Sequence, residues 1–476
     1  MMWFETILRM TNETGVVGWV RTIDPSWLSL PAGAGAAVLV FAYAPLSERT
    51  ATMLAIAVFC IGLWIGSPVE SWFTGLVCLG AVGVTFSTEL ALIGFRLPAT
   101  WLVVFGILLG EATRRSGLTK LIEFRALARM PAHVANDAES AYRFLLIVLS
   151  AAAFGLIVLV PSSLVRVLAL GPVLVSVGER FTERRARIGL FLGPLFVTYY
   201  GATGVLTGSL ANIIITGLIE SSSGLSIGWI EWAVWLGPVM AVGRSIAVVA
   251  VAYVLYRPTD PMAIRESPIE TAEITTDQRR MMAFLLVGVV IWATDAIHGL
   301  HPLYGALAVT LLVFTPQIGV VTADAVTDAD FSIVFFLGAI FAIAEGLQQT
   351  GFTDRAAGAI LSVLPGDASL VVVLVMVVVA ALSLTVLLEG LAAASVLTPT
   401  LVSFTASAGI PLLPVAMAEA IALNTYFFPY QSAVFVAILG LNVVNGRELI
   451  RMATVCSVVT LVVLLPIQLA VFALVF

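Results

Sequence analysis

Long apolar runs recur along the whole chain, separated by short polar stretches. Each is close to the ~20 residues that an α-helix needs to cross a bilayer core. A chain with that pattern has few solutions open to it. In lipid every backbone N–H and C=O group must find a partner within the protein, which leaves helices or closed barrels. A barrel needs polar–apolar alternation over segments of roughly ten residues, and none is visible here. Composition agrees: 60% of the 476 residues are hydrophobic and 11% are charged, against about 25% charged in soluble proteins. An all-α polytopic membrane protein is expected.

The candidate spans of the first half are 29–46, 50–66, 71–86 and 97–112, an interrupted pair at 142–160 and 162–177, a span at 188–219 broken over 201–208, and a long one at 229–256. A polar, acid-rich loop at 257–280 follows, and the series starts over. Its members are 281–297, 302–315, 331–347, an interrupted pair at 370–388 and 390–406, a span at 412–439 broken around Pro429, and 449–475. If both pairs re-enter rather than cross, there are about 11 transmembrane helices, two re-entrant hairpins and two broken helices. Residues 1–28 mix polar and apolar side chains and read as an interfacial segment. Arg114, Arg115, Lys120, Arg125, Arg129, Arg184, Arg185 and Arg187 then share one face of the membrane with Arg257, Arg265, Arg279, Arg280, Arg447 and Arg451. The positive-inside rule makes that face cytoplasmic. Trp229, Trp232 and Trp235 are expected in an interfacial aromatic belt.

The two series match in register. LLGEATRRSGLTK (108–120) overlays AIAEGLQQTGFTD (342–354), which places Glu111 on Glu345, Gly117 on Gly351 and Thr119 on Thr353. At the later elements Pro172 falls on Pro399, and Thr198-Tyr199 on Thr425-Tyr426. An odd number of intervening spans would invert one copy against the other. Inverted repeats with broken helices are the architecture of secondary transporters, whose sites lie where the breaks meet at mid-membrane.

Four interruptions concentrate the chemistry: PSS at 161–163, YYGATGVLTGSLAN at 199–212, LLEGLAAAS at 387–395 and LNTYFFPYQS at 423–432. Freed carbonyls there suit a cation such as Na+, and the half-helix N-termini beyond each break suit an anion. Candidate substrate contacts are Ser162, Ser163, Arg166, Asn212, Gly390, Asn424, Pro429 and Gln431. Candidate ion ligands are Ser162, Thr207, Gly208, Glu389, Thr425 and Ser432. Arg166 is too far from either end of its apolar run to snorkel to water. Two roles stay open for it: a bidentate contact to an anionic solute, or an ion pair with Glu389 at the opposing tip. Glu389 in turn is a candidate Na+ ligand, a proton carrier or a helix N-cap. Glu111 and Glu345 read as structural, and Arg244 as packed against a polar neighbour. Cys60, Cys78 and Cys456 are scattered, and His133, His298 and His301 lack ligand spacing, so no metal centre, cofactor or enzyme site is expected.

The tips and breaks resemble the divalent anion/sodium symporter family of the ion transporter superfamily. In that family each re-entrant hairpin carries a Ser-Asn-Thr signature ten residues before a proline; here those places hold Ser162-Ser163-Leu164 and Glu389-Gly390-Leu391. LTGSLAN at 206–212 is similar to the family's LTGTxxN element, and Arg166 stands where citrate and oxoglutarate carriers of the broader family have an arginine after the first tip. The resemblance runs from about residue 30 onward. Both signatures are degenerate, so the family's carboxylate contacts do not carry over. The resemblance implies a multi-pass cell-membrane protein and a secondary active transporter of small organic, di- or tricarboxylate-like anions, coupled to Na+ or H+. It further implies a homodimer working as an elevator, with a scaffold at 29–130 and 281–366 and a transport domain at 131–256 and 367–476. No nucleic-acid partner is expected. The alternative is a cation/proton antiporter of the same superfamily, which Glu389 would suit.

Overall fold

A computed structural model describes residues 25–135, 137–260, 273–363, 368–387 and 390–476. Residues 1–24 of the expected interfacial segment, 261–272 of the loop at 257–280, and Glu389 lie outside the described residues. No strand occurs among the described residues. The first series of helices is α1 (Ser29–Tyr43), α2 (Glu48–Gly66), α3 (Ser71–Thr85), α4 (Pro98–Ser116), α5 (Leu118–Ala128), α6 (Ala138–Leu159), α7 (Ser163–Gly178), α8 (Arg184–Tyr200), α9 (Leu210–Ser223) and α10 (Trp229–Tyr256). The second is α11 (Thr276–Ala293), α12 (Leu303–Phe314), α13 (Ser332–Gln349), α14 (Phe352–Val363), α15 (Leu370–Leu387), α16 (Gly390–Ala408), α17 (Leu412–Leu423), α18 (Ala433–Gly440) and α19 (Gly446–Val475). Seven helices among the described residues are long and apolar enough to cross a membrane.

Several helices begin before their apolar runs. α6 starts at Ala138 because Asp137 caps it, accepting from Ser140 N at 2.8 Å. α11 starts at Thr276 behind a capping box in which Thr275 and Gln278 each bond the other's backbone N–H. Hydropathy marks where a helix meets lipid, whereas the caps mark where it begins.

The internal repeat is visible in backbone conformation. Gly117 and Gly351, overlaid by the sequence match, both take left-handed φ, at 68° and 74°. Each sits between a membrane helix and the shorter helix after it, at the corner of α4–α5 or of α13–α14. An L-residue with a side chain rarely adopts that conformation. The two copies run in opposite directions. Arg115, in the last turn of α4, pairs with Asp328 just before α13, and its Nη2 donates to Asp324 O at 3.3 Å. At the other end Thr350, just past α13, accepts from Thr50 near the start of α2 at 2.7 Å. Equivalent helices α4 and α13 thus lie antiparallel. Close packing is built on small residues, as in membrane bundles generally: a Cβ on Gly75 of α3 would come within 2.7 Å of Phe335 O on α13.

α10 and α19, equivalent in the two series, each carry a π-helical segment, at Gly237–Gly243 and Thr460–Leu464. These widened turns bring Arg244 and Thr460 together, at 3.0 Å from Nε to Oγ1. Such bulges recur at functional sites.

Candidate functional site

The first break opens α8 from α9 because the sequence there cannot stay helical and packed at once. Gly201, Ala202, Thr203 and Gly204 form one short turn and Leu206–Gly208 another. A Cβ on Gly204 would lie 2.5 Å from Ala241 N, in the π segment of α10. The break therefore rests directly on the α10 backbone. Asn212 repairs part of the loosened chain: its Nδ2 donates to the carbonyls of Ala202, Thr203 and Val205 at 3.2, 3.1 and 3.0 Å. Trp232 Nε1 donates to Thr203 O at 3.0 Å, and Trp229 Nε1 to Thr207 Oγ1 at 3.0 Å. Both indoles are buried, so Trp229 and Trp232 do not form an interfacial belt; their N–H groups are needed at the break.

Arg166 is 1% exposed, one turn into α7. Its Nη1 donates to Val160 O at 2.5 Å, and its Nη2 to Thr198 O at 2.8 Å, Gly208 O at 2.7 Å and Ser163 Oγ at 2.8 Å. Among the described residues no carboxylate pairs with it, and Nε has no partner. Three carbonyl oxygens, from the tip of the hairpin and from both sides of the first break, thus converge on one fixed positive charge. The expected ion ligand Gly208 gives its carbonyl to this guanidinium and, at 3.2 Å, to Ser163 Oγ.

The second break parts α17 from α18. Gln431 ties it: Oε1 accepts from Phe427 N and Phe428 N at 2.7 and 2.8 Å, and Nε2 donates to Thr385 O at 2.9 Å, close to the second tip. Pro429 opens the short turn Pro429–Gln431, and Ser432 caps α18, accepting from Val434 N at 3.2 Å. Asn424 joins the two breaks. Its Oδ1 accepts from Ser209 at 2.7 Å and its Nδ2 donates to Asn212 Oδ1 at 3.1 Å. Tyr199 adds a bond to Ser432 Oγ at 2.5 Å.

Arg244, fully buried, bonds both breaks at once. Its Nη1 donates to Thr203 Oγ1 at 2.8 Å, and its Nη2 to Asn424 O at 2.9 Å and Thr425 Oγ1 at 3.0 Å. The guanidinium carbon lies 4.6 Å from the Tyr200 ring centroid, a cation–π distance.

Between the tips and the helices α4 and α13 lies a cavity of about 600 Å3. Four helix N-termini reach its wall: α7 at Ser162–Ser163, α9 at Ser209–Leu210, α16 at Gly390–Leu391 and α18 at Ser432–Ala433. The first-turn N–H groups of a helix have no intrahelical partner, and its dipole favours negative charge. Four such termini, three of them with serine hydroxyls, converge on one space, and helix N-termini are a setting that suits an anion. The opposite wall includes Val103, Gly106 and Ile107 of α4 and Ile333 of α13. Glu111, Arg114, Asp328 and Asp330 also line the cavity, at the end of α4 that carries the cluster of basic residues. Of the expected substrate contacts, Ser162, Ser163, Gly390 and Gln431 line this space, as does Ser432 from the ion set. Arg166 of α7, Asn212 of α9, and Asn424, Thr207, Gly208, Thr425 and Pro429 at the two breaks are not among its lining residues.

Glu419 of α17 escaped the sequence reading. It is wholly buried, with Oε1 accepting from Thr398 at 2.8 Å and Oε2 without a partner among the described residues. The signal was the same one that exposed Arg166: an ionisable residue inside an apolar run.

Inverted halves, broken helices and a cavity walled by their half-helix ends define a membrane transporter rather than an enzyme. Comparison with known proteins narrows the class. The profile of the sodium:sulfate symporter transmembrane region matches residues 30–476, and the chain belongs to this divalent anion/sodium symporter family of secondary transporters. It is 23% identical over 445 residues to an uncharacterized transporter of Haemophilus influenzae, covering 88% of this chain and 91% of that one. It is also 22% identical over 274 residues to the L-tartrate/succinate antiporter of Escherichia coli K12, covering 54% of this chain and 55% of the antiporter, about half its length. The fold is shared with the YdaH transporter of Alcanivorax borkumensis, at a TM-score of 0.55 and 13% identity over 90% of this chain and 98% of that one.

Proposed function

We propose that this protein moves small organic anions across the membrane by exchange, one anion for another, with the solute held at the four converging helix N-termini. That convergence is the observation that carries the reading: backbone N–H groups at the helix N-termini favour negative charge and oppose a bound cation, and the hydroxyls beside them can donate to an anion. A cation/proton antiporter would need the reverse lining. The relatives named as L-tartrate/succinate antiporters accord with exchange.

The coupling cation expected at the first break has a covalent counterpart. Arg166 draws the carbonyls of Val160, Thr198 and Gly208 around its guanidinium, as unwound carbonyls would otherwise gather around Na+. Exchange therefore needs no Na+ at that point. The moving part is the pair of hairpins with the broken helices, sliding as a unit against α4 and α13 in a homodimeric elevator. The cavity's two walls support this, because one belongs to the tips and breaks and the other to the helices they would slide past. The open cavity reaches the basic face at Arg114, so the solute loads from the cytoplasmic side in this state.

The test is counterflow in proteoliposomes preloaded with unlabelled organic anions, assayed with labelled ones in Na+ and in choline buffers at several pH values. Equal exchange in the two buffers is expected. Exchange that collapses without Na+ would remove Arg166 from the cation's role, and Na+/H+ movement without any organic anion would favour the antiporter.

A further inference from the structure

Among the described residues, the polar groups that the cavity offers at the tips and breaks are hydroxyls, phenols, an amide and helix N-termini, and aliphatic side chains fill much of the wall between them. The third residue of each hairpin tip is a leucine. Leu164 and Leu391 stand at equivalent places in the two repeats, at the offset that carries Pro172 onto Pro399, and both line the same space. Val103, Ile107, Ile333 and Val434 extend that apolar surface over α4, α13 and α18. Leucines from two distant hairpins thus add apolar surface to a space whose helix N-termini favour negative charge.

Charge is arranged just as unevenly. Among the described residues, Arg114 is the one cationic side chain on the cavity wall, and it is bound to Glu111 at 2.6 and 2.9 Å. Arg166 and Arg244 are turned into the breaks and bonded to backbone and hydroxyl oxygens. The other charged lining groups, Asp328 and Asp330, are acidic. A solute with one carboxylate at the serine-capped termini is satisfied. A second carboxylate held beside Leu164 and Leu391 would face aliphatic side chains, where an unpaired charge is costly, and one directed to the mouth would face Asp328 and Asp330. The space, about 600 Å3 with its mouth included, falls in the range of ~300–1,000 Å3 usual for small-molecule sites and leaves room for a body larger than a four-carbon diacid.

We infer that the solute is an organic anion with a single acidic group on a branched or aromatic apolar body, seated with its carboxylate on the helix N-termini and its body between Leu164 and Leu391. This rests on the anion-exchange reading above and specifies its substrate class. A sulfonate head on the same body shares the chemistry and forms a second arm of the test.

The experiment is counterflow by the intact protein in proteoliposomes, with thermal stabilisation of the purified protein alongside. The probes are 4-methyl-2-oxopentanoate, phenylacetate and benzenesulfonate against succinate, L-tartrate and citrate. The apolar monoanions are expected to half-saturate at concentrations about ten-fold or more below those of the diacids, the size of effect that one or two apolar contacts give. In the Leu164→Thr/Leu391→Thr double variant, checked for folding by its thermal transition, the preference moves toward succinate. Succinate or L-tartrate handled as well as the monoanions by the natural protein overturns the inference and leaves anion exchange standing. A protein that neither binds nor exchanges any probe of either class overturns both.

Discussion

Arg166 and Arg244 place two guanidiniums at membrane depth with carbonyl and hydroxyl oxygens as their partners. Each planar fork presents several donors in fixed directions, which lets a single side chain gather acceptors from segments that no short residue could span. Arg166→Ala removes the donors of three converging carbonyls and of Ser163. Val160 O and Gly208 O keep the bonds from Ser162 N and Ser163 Oγ, but each acceptor loses its charged donor. A buried acceptor left short of a donor costs ~1–3 kcal/mol, so a lower melting temperature is expected. Because the vacated carbonyls then form a cage for a small cation, Na+ is expected to raise the melting temperature of Arg166→Ala more than that of the natural protein. An equal response to Na+ in both would dismiss the idea that the guanidinium holds a cation's place. The sequence marked Arg166 as important because an ionisable residue deep in an apolar run has few reasons to be there. It did not disclose the partners, since Thr198 and Gly208 lie on another helix and its break.

At the scale of elements, the breaks were legible and their packing was not. Glycine clusters, Asn212 and Pro429 announce where helices part, because their conformational preferences are local. What the first break leans on is set by α10. The Cβ that Ala would add at Gly204 falls 2.5 Å from Ala241 N, and backbone on both sides leaves little room to yield. Gly204→Ala is expected to lose ~1–3 kcal/mol, as overpacked sites do, whereas Gly155→Ala on α6, with open space around the added methyl, gains up to ~1 kcal/mol from helix propensity. Thermal melts of the two variants check this; a harmless Gly204→Ala would mean that break and α10 are not in close contact. The same dependence explains Trp229 and Trp232. An aromatic cluster at the start of a span reads as an interfacial belt from composition, yet these indoles bond Thr207 and Thr203 in the break.

For the whole molecule, the question is whether the hairpins travel past α4 and α13. A Cβ built on Gly106 of α4 lies 3.5 Å from the Pro161 Cβ at the first tip, within the ~3.5–4.5 Å that a disulfide spans. The Gly106→Cys/Pro161→Cys variant is expected to lose exchange on oxidation and regain it with a reductant. Undiminished exchange by the fully cross-linked protein would rule out sliding at this contact. The chain's own sequence determined that it lives in a bilayer, that it repeats itself in two halves, where its helices rupture and which charged residues are out of place, because hydropathy and the preferences of Gly, Pro, Asn and Ser act over a few residues. Tertiary structure alone decided that the two guanidiniums bond the breaks, that Glu419 is buried with one oxygen lacking a partner among the described residues, and that leucines from both hairpins share a single cavity. Those facts depend on segments brought together across the inverted repeat, and no property of a short stretch of sequence encodes which oxygen or which side chain will arrive from the other half.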